Sequence, residues 1–208
     1  MNMYRTRVKI CGITNLEDAK AAISAGADAI GFVFYKKSPR YISINKAREI
    51  VENVTAFVNC VGLFVNSEKE YIDGVLEQVA LDTLQFHGDE SEQDCTLYDK
   101  PYIKAIRMNE EINLLEEAEK YFSAKALLLD TYVEGVTGGT GTVFDWSRIP
   151  RNLKKPVILA GGLNVSNVKG AIRQISPYAV DVSGGVEIEK GKKDPNKIKE
   201  FINVTLNV

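Results

Sequence analysis

The stretch VKICGIT, from Val8 to Thr14, decides the fold, because one element ends and the next begins within it. Its apolar positions predict a short buried strand that stops at Gly12, with a helix beginning just after it. Side chains alternate along a strand, so Lys9 and Cys11 lie on the same side. The stretch therefore places an ammonium and a thiol together at the carboxyl end of a strand.

This position can make a cysteine reactive. An unperturbed thiol has a pKa of about 8.5, and a helix N-terminus with a nearby cation lowers that pKa. Lys9 and the predicted helix would supply both. The alternative, which this stretch leaves open, is that Cys11 is a small buried hydrophobic residue.

Composition restricts the class of protein. The chain has 208 residues, 45% hydrophobic and 26% charged, so we expect one soluble domain over residues 1–208. A net charge of -2 offers no basic field to nucleic acid or to a membrane surface. No apolar run approaches the roughly 18 residues of a membrane span, and the start MNMYRTRVKI lacks a signal-peptide core. We expect a cytoplasmic monomer or homodimer, with neither nucleic acid nor membrane as a partner.

The three cysteines, at positions 11, 60 and 95, show no CxxC spacing. They predict neither a disulfide framework nor a zinc site. The single histidine, His87, argues further against a site built from several imidazoles. No metal site is therefore predicted.

Apolar strand patterns alternate with helical patterns eight times. The predicted strands cover residues 8–12, 29–34, 60–65, 83–87, 102–107, 125–130, 157–160 and 179–183. Near-continuous apolar runs such as residues 29–34 indicate burial on both faces, as in a parallel sheet. Eight units in 208 residues favour a (β/α)8 TIM barrel, and an open doubly wound sheet is the alternative.

Several helix starts are predicted from capping residues. Thr14 with Glu17, and Ser67 with Glu70, have the spacing of capping boxes, and Asn164 is the expected cap of the helix after strand seven. A polar helix is expected over residues 90–98. The long glycine-containing loop from Asp130 to Trp146 is a candidate lid.

Polar residues at the carboxyl ends of the strands are expected to belong to one site, because barrels place their reacting groups there. Asp130 ends an apolar strand and suits a general acid, although a strand-end aspartate that caps its loop is equally compatible. Asp181 lies within a buried strand and must be paired, with Lys9 as the natural partner. Gln85 and His87 share a strand face and could line the same interior, but for His87 a structural or peripheral role is preferred over catalysis.

Glycine pairs follow strands seven and eight. Gly161 with Gly162, and Gly184 with Gly185 after Ser183, let backbone N–H groups approach an anion, which predicts two halves of one phosphate pocket. The glycines of GGTGTV, residues 138–143, match no nucleotide-binding loop. Arg40, beside a proline turn, could bind a substrate carboxylate through two parallel hydrogen bonds or be merely solvated.

Six motifs together carry a family resemblance: VKICGIT, GFVFYKKSPRYI, QFHG, LLLDTYVEGVTGGTGTVFDW, LAGGLN and VDVSGGVE. In this order they resemble phosphoribosylanthranilate isomerase of tryptophan biosynthesis. The resemblance implies a (β/α)8 barrel that acts on a small phosphosugar by an Amadori rearrangement, without metal or cofactor.

The resemblance also implies residue roles. Cys11 corresponds to the general base, Asp130 to the general acid, and Arg40 to the ligand of the anthranilate carboxylate. Asp181 is expected to bind substrate. The phosphate is expected at the following residues: Gly161, Gly162, Ser183, Gly184 and Gly185. Family members often read DVSSGVE, so Gly184 removes a hydroxyl but keeps the backbone donors.

Rival functions remain on the same barrel. A metal-dependent epimerase would need more than one histidine, and a Schiff-base aldolase would need a lysine where Asp130 stands. A catalytically inactive barrel that binds a phosphate ligand or a partner is the alternative outside enzymes.

Overall fold

The computed structural model describes residues 5–131 and 144–208. Within them, eight parallel strands form a closed barrel in chain order, and the eighth strand pairs with the first. The predicted (β/α)8 barrel is therefore confirmed, and the open sheet is excluded. The strands are β1 Arg7–Cys11, β2 Ala29–Val33, β3 Asn59–Phe64, β4 Thr83–Phe86, β5 Tyr102–Met108, β6 Ala126–Thr131, β7 Val157–Leu159 and β8 Ala179–Val182.

Helices cover the outside of the barrel. They are α1 Leu16–Ala25, α2 Ile44–Val51, α3 Lys69–Leu76, α4 Glu92–Cys95, α5 Leu114–Lys120, α6 Val168–Ile175 and α7 Pro195–Leu206. Between β6 and β7 the described residues contain only a 3₁₀ turn, Trp146–Arg148. An antiparallel hairpin, β9 Glu187–Glu189 with β10 Lys192–Lys193, follows β8.

Alternation along the strands separates two environments. Val8 and Ile10 of β1 belong to the main hydrophobic core, which packs the sheet against the helices. Lys9 is 4% exposed and Cys11 is 5% exposed, and both face the barrel interior. The predicted division of this strand into two faces is confirmed.

The barrel interior is filled in layers. A lower layer consists of Ile103, Ala105, Ala126, Leu128, Ile158, Ala160 and Ala179. An upper layer, toward the carboxyl ends of the strands, contains Cys11 with Val33, Leu63 and Val65. Asp130 on β6 and Asp181 on β8 come after this lower layer in the direction of the strands' carboxyl ends. Their side chains therefore lie near the carboxyl-terminal mouth of the barrel.

The predicted helix caps are largely wrong. Asn15 caps α1 by accepting from Asp18 N, while the Thr14 hydroxyl donates to the Gly191 carbonyl. Glu68, without a side-chain cap bond, precedes α3, so the Ser67 capping box is absent.

Two further helix starts agree with prediction in part. Asn167 directly precedes α6 without a side-chain cap bond, and the predicted cap Asn164 accepts from Ser166 N at 2.9 Å in the turn that leads into the helix. The predicted polar helix is short and starts with a capping box formed by Ser91 and Asp94. The differences from prediction arise because capping residues compete locally and tertiary contacts select among them.

Most of the candidate lid, Asp130 to Trp146, lies outside the described residues. No helix in residues 5–131 or 144–208 is long and apolar enough to cross a membrane.

Candidate active site

A cavity of about 430 Å³ lies at the carboxyl ends of the strands. Its wall contains Cys11, Arg40, Asp130 and Asp181, four residues that are remote in sequence. The closed barrel thus brings together Cys11 and Asp130 from strand ends, Asp181 from within β8 and Arg40 from the loop after β2. In the described part of the chain, no group of three or more His, Cys, Asp and Glu side chains is placed to hold a metal ion.

Cys11 and Lys9 meet beside a glycine of β2. A Cβ at Gly31 would lie 3.0 Å from Cys11 Sγ and 3.1 Å from Lys9 Nζ, so a larger residue would displace one of these groups. Lys9 Nζ also donates to Asp181 Oδ1 at 2.7 Å, as predicted. The ammonium is thus held between the thiol and a carboxylate.

The thiol's ionisation differs from the expectation. Burial raises the pKa of Cys11, and Asp181 adds to the rise, while Lys9 and Lys193 oppose it without reversing it. The helix α1 starts only at Leu16, beyond the end of β1. The predicted lowering of the pKa is therefore wrong, because burial outweighs the two cations.

Asp130 is positioned by hydrogen bonds on both oxygens. Oδ1 accepts from Thr131 N at 2.9 Å, and Oδ2 lies 3.1 Å from His87 Nε2. Gln85 Nε2 donates to His87 Nδ1 at 2.9 Å, so Nδ1 of the imidazole is the acceptor. The imidazole proton is therefore on His87 Nε2, which donates to Asp130. Gln85 and His87 both line the cavity, as their shared strand face predicts. His87 is therefore not peripheral; it orients the candidate acid.

The two glycine loops abut. Gly162, Ser183, Gly184 and Gly185 all line the cavity, and a Cβ at Gly185 would lie 2.0 Å from the Leu163 carbonyl oxygen. The N–H groups of Gly162, Gly184 and Gly185 have no acceptor among the described residues. The loops thus present backbone donors from two sides, which suits an anion.

Two residues of this predicted pocket contribute in other ways. Gly161, with φ +76°, is not part of the cavity wall; its Cα packs against β6, where a Cβ would lie 2.4 Å from Thr131 N. The Ser183 hydroxyl donates to the Cys11 carbonyl at 2.9 Å. Gly161 therefore supports the loop, and Ser183 links it to β1.

Arg40 lines the cavity but already has a protein partner. Its Nε donates to Glu187 Oε1 and its Nη2 to Glu187 Oε2, both at 2.7 Å. Lys193 Nζ reaches the same carboxylate at 2.9 Å. Sequence reasoning missed Glu187 and Lys193. Glu187 closes the motif VDVSGGVE, which was a signal for it, but no local spacing predicts a pair with Arg40, because this contact arises only when the hairpin folds over the barrel.

A closed parallel barrel with a thiol, a carboxyl group and backbone anion donors at its carboxyl end is a (β/α)8 enzyme built for acid–base chemistry on a small anionic substrate. Comparison with known proteins identifies which one. Residues 8–204 match the family model of N-(5'phosphoribosyl)anthranilate (PRA) isomerase. The chain belongs to this family.

Relatives agree along nearly the whole chain. The N-(5'-phosphoribosyl)anthranilate isomerase of Pseudomonas fluorescens strain Pf0-1 is 56% identical over 201 residues, 97% of this chain and 98% of that protein. The phosphoribosyl anthranilate isomerase of Thermotoga maritima superimposes with a TM-score of 0.89 at 45% identity, covering 98% of this chain and 100% of that chain. A second structure, the isomerase in complex with reduced 1-(o-carboxyphenylamino)-1-deoxyribulose 5-phosphate, has a TM-score of 0.82 and 42% identity, covering 98% of this chain and 100% of that chain.

Proposed function

We propose that this protein converts N-(5-phosphoribosyl)anthranilate to 1-(2-carboxyphenylamino)-1-deoxyribulose 5-phosphate in tryptophan biosynthesis, with Asp130 as general acid and Cys11 as general base. Family membership supports the reaction. The observation that carries the mechanism is the placement of Cys11 and Asp130 in the wall of one cavity.

The first step opens the ribose ring. Asp130, in its protonated form, delivers a proton to the ring oxygen as the C1–O bond breaks, and the anilino nitrogen lone pair forms the C=N bond of a Schiff base. His87 fixes the carboxyl group from one side and the Thr131 N–H from the other. This support holds the acid in one geometry while the sugar chain opens.

The second step removes the proton on C2. The Cys11 thiolate accepts this proton, and the C–H electrons form the C1=C2 bond of an enolamine, which neutralises the Schiff-base nitrogen. The Asp130 carboxylate then takes the enol proton from the C2 oxygen, and the Cys11 thiol gives its proton to C1, which completes the isomerisation and restores both groups. The steps only move protons between the substrate and these two side chains and shift bonds within the substrate, with no net oxidation, so the proposal needs no cofactor.

Two anionic ends of the substrate are held in place. The backbone donors of Gly162, Gly184 and Gly185 are proposed to bind the phosphate, and Arg40 the anthranilate carboxylate. Asp181 uses Oδ1 for Lys9, which leaves Oδ2 to accept from a sugar hydroxyl. These contacts would hold the sugar between the acid and the base.

We propose that the chain is a cytoplasmic monomer or homodimer. A crystal structure of monomers obtained from the dimeric isomerase of Thermotoga maritima resembles this chain with a TM-score of 0.86, which supports these two states. The three cysteines are all free and buried, which fits the reducing cytoplasm expected from sequence.

The decisive experiment follows the fluorescence of phosphoribosylanthranilate on addition of the purified chain. The proposal expects rapid loss of the signal with formation of the deoxyribulose product. An intact, folded protein that binds the reduced product but leaves the fluorescence unchanged would instead be the inactive binding barrel.

A further inference from the structure

We infer that Glu187 is a positioning residue: it fixes which edge of the Arg40 guanidinium faces the substrate carboxylate. This inference rests on the proposed function, in which Arg40 binds that carboxylate. Glu187 itself does not touch the reacting atoms; it acts through Arg40.

The hydrogen-bond pattern divides the guanidinium into two edges. Glu187 takes the side edge, formed by Nε and one Nη2 proton, in a bidentate pair with both distances at 2.7 Å. The end edge, formed by one Nη1 proton and the remaining Nη2 proton, has no acceptor among the described residues. A second carboxylate can therefore bind end-on while Glu187 stays in place.

Glu187 is itself held rigidly. Lys193 Nζ donates to Oε1 at 2.9 Å, and the Lys193 side chain is 0% exposed. Gly191 N donates to the same oxygen at 3.3 Å, and Lys197 Nζ donates to the Glu187 carbonyl at 2.9 Å. The β9–β10 hairpin thus holds the carboxylate that orients Arg40.

Charge supports the same role. Burial raises the pKa of Glu187, but hydrogen bonds and charges from Arg40 and Lys193 outweigh it and leave that pKa below its ordinary value. The carboxylate is therefore ionised at neutral pH. Two cations on one carboxylate leave a net positive charge at this edge of the cavity, which still attracts an anionic substrate.

Gly184 leaves the space for this arrangement. A Cβ at Gly184 would lie 3.2 Å from Arg40 Nη2, so the phosphate loop passes directly beside the guanidinium. The carboxylate site and the predicted phosphate site are thus adjacent, and a shift of Arg40 would change the distance between them.

The test compares two ligands that differ only in the carboxyl group: the reduced deoxyribulose product and its counterpart with a plain phenylamino ring. We define the carboxyl ratio as the Kd of the carboxyl-free ligand divided by the Kd of the reduced product, both measured by calorimetry. A bidentate charged pair predicts a ratio of about 10 to 100 for the unmodified protein.

Glu187→Gln keeps the shape of the side chain but removes its charge. We expect the carboxyl ratio to fall about fivefold or more, because the loosened guanidinium no longer presents one edge. Affinity for inorganic phosphate should not fall, because removal of a negative charge beside the phosphate loop does not weaken anion binding, whereas a general loss of structure would lower it. Glu200→Gln, on the exposed surface of α7, changes the net charge equally and should leave the ratio unchanged.

Loss of Glu187 leaves the buried Lys193 without its carboxylate and could prevent folding. The double variant Glu187→Gln with Lys193→Met removes both groups and leaves Arg40, and it should show the same reduced ratio. An unchanged ratio in a folded variant overturns the role of Glu187 alone. A ratio near one in the unmodified protein overturns the role of Arg40 in the proposed function, and the inference with it.

Discussion

Lys9 Nζ donates to Asp181 Oδ1 at 2.7 Å, and the two residues face each other across the β1–β8 pair that closes the barrel. Burial alone would lower the pKa of Lys9, but the charges of Asp181 and of a Cys11 thiolate outweigh it and raise that pKa. Lys9 therefore remains an ammonium inside the barrel. One ion pair thus joins the first and last strands and keeps a positive charge beside the candidate base.

Asp181→Asn should destabilise the fold, because it leaves the buried Lys9 charge without its partner. The expected loss in the free energy of unfolding is about 3 to 5 kcal/mol, measured by chemical denaturation. The double change Lys9→Met with Asp181→Leu removes both charges and should recover most of it. Asp73→Asn, at an exposed pair with Lys69, should leave the denaturation midpoint nearly unchanged. Equal midpoints for Asp181→Asn and the unmodified protein would contradict this account.

Activity should rise with pH through the titration of Cys11. The base works as a thiolate, and burial raises the pKa of the thiol, so kcat/KM of the free enzyme should still be increasing above the ordinary thiol range. Lys9→Met removes a cation that stabilises the thiolate. The rising part of the plot of kcat/KM against pH should therefore move to higher pH. Alkylation of Cys11 by iodoacetamide, followed against pH, measures the same titration directly. An unchanged pH dependence would show that Lys9 does not set the thiol's pKa.

Cys11→Ala and Asp130→Asn should each lower kcat by roughly 10²- to 10⁴-fold, with KM changed little, because both groups act mainly in the transition state. Steady-state kinetics by the fluorescence assay provide the measurement. Cys60 belongs to the core between the sheet and the helices, so Cys60→Ala serves as a matched cysteine control that should retain kcat. Near-normal turnover in either active-site variant would refute the role assigned to that residue.

Two neighbouring glycines should respond differently to the same change. Gly185→Ala places a methyl group 2.0 Å from the Leu163 carbonyl oxygen and must separate the two loops, so KM should rise about tenfold or more. Gly184→Ala places a methyl group 3.2 Å from Arg40 Nη2 and 3.9 Å from Glu187 Oε2, contacts that a shift of a few tenths of an ångström relieves, so KM should change about threefold at most. Competitive inhibition by inorganic phosphate should weaken only for Gly185→Ala. Similar effects at both positions would argue against a phosphate site between the loops.

The strands and their faces were predictable from sequence, because successive side chains of every barrel strand alternate between the interior and the helix-covered face. Alternation placed Lys9 with Cys11 and Gln85 with His87, and both pairs face the interior. The strong apolar pattern also identified all eight strands to within a few residues of their observed bounds. Family motifs then named Cys11 and Asp130 before any geometry was known.

Helix caps were less predictable, because several local residues can cap the same end. Thr14 has the correct spacing for a capping box, yet its hydroxyl donates to the carbonyl of Gly191, a residue of the hairpin that follows β8. Asn15 takes the cap instead. The Gly191 carbonyl, which is distant in sequence, thus takes the Thr14 hydroxyl away from the helix end and leaves Asn15 as the cap.

Sequence by itself determined the class of fold and most of the polar groups proposed for the chemistry, such as Cys11 and Asp130, since both depend on periodicity and on motifs that occupy short stretches. Only the tertiary structure decided the state of those groups: the raised pKa of Cys11, the contact of His87 with Asp130, and the pairing of Arg40 with Glu187. Burial and hydrogen bonding depend on neighbours that the closed barrel brings together from distant positions in the chain, and no local pattern encodes them.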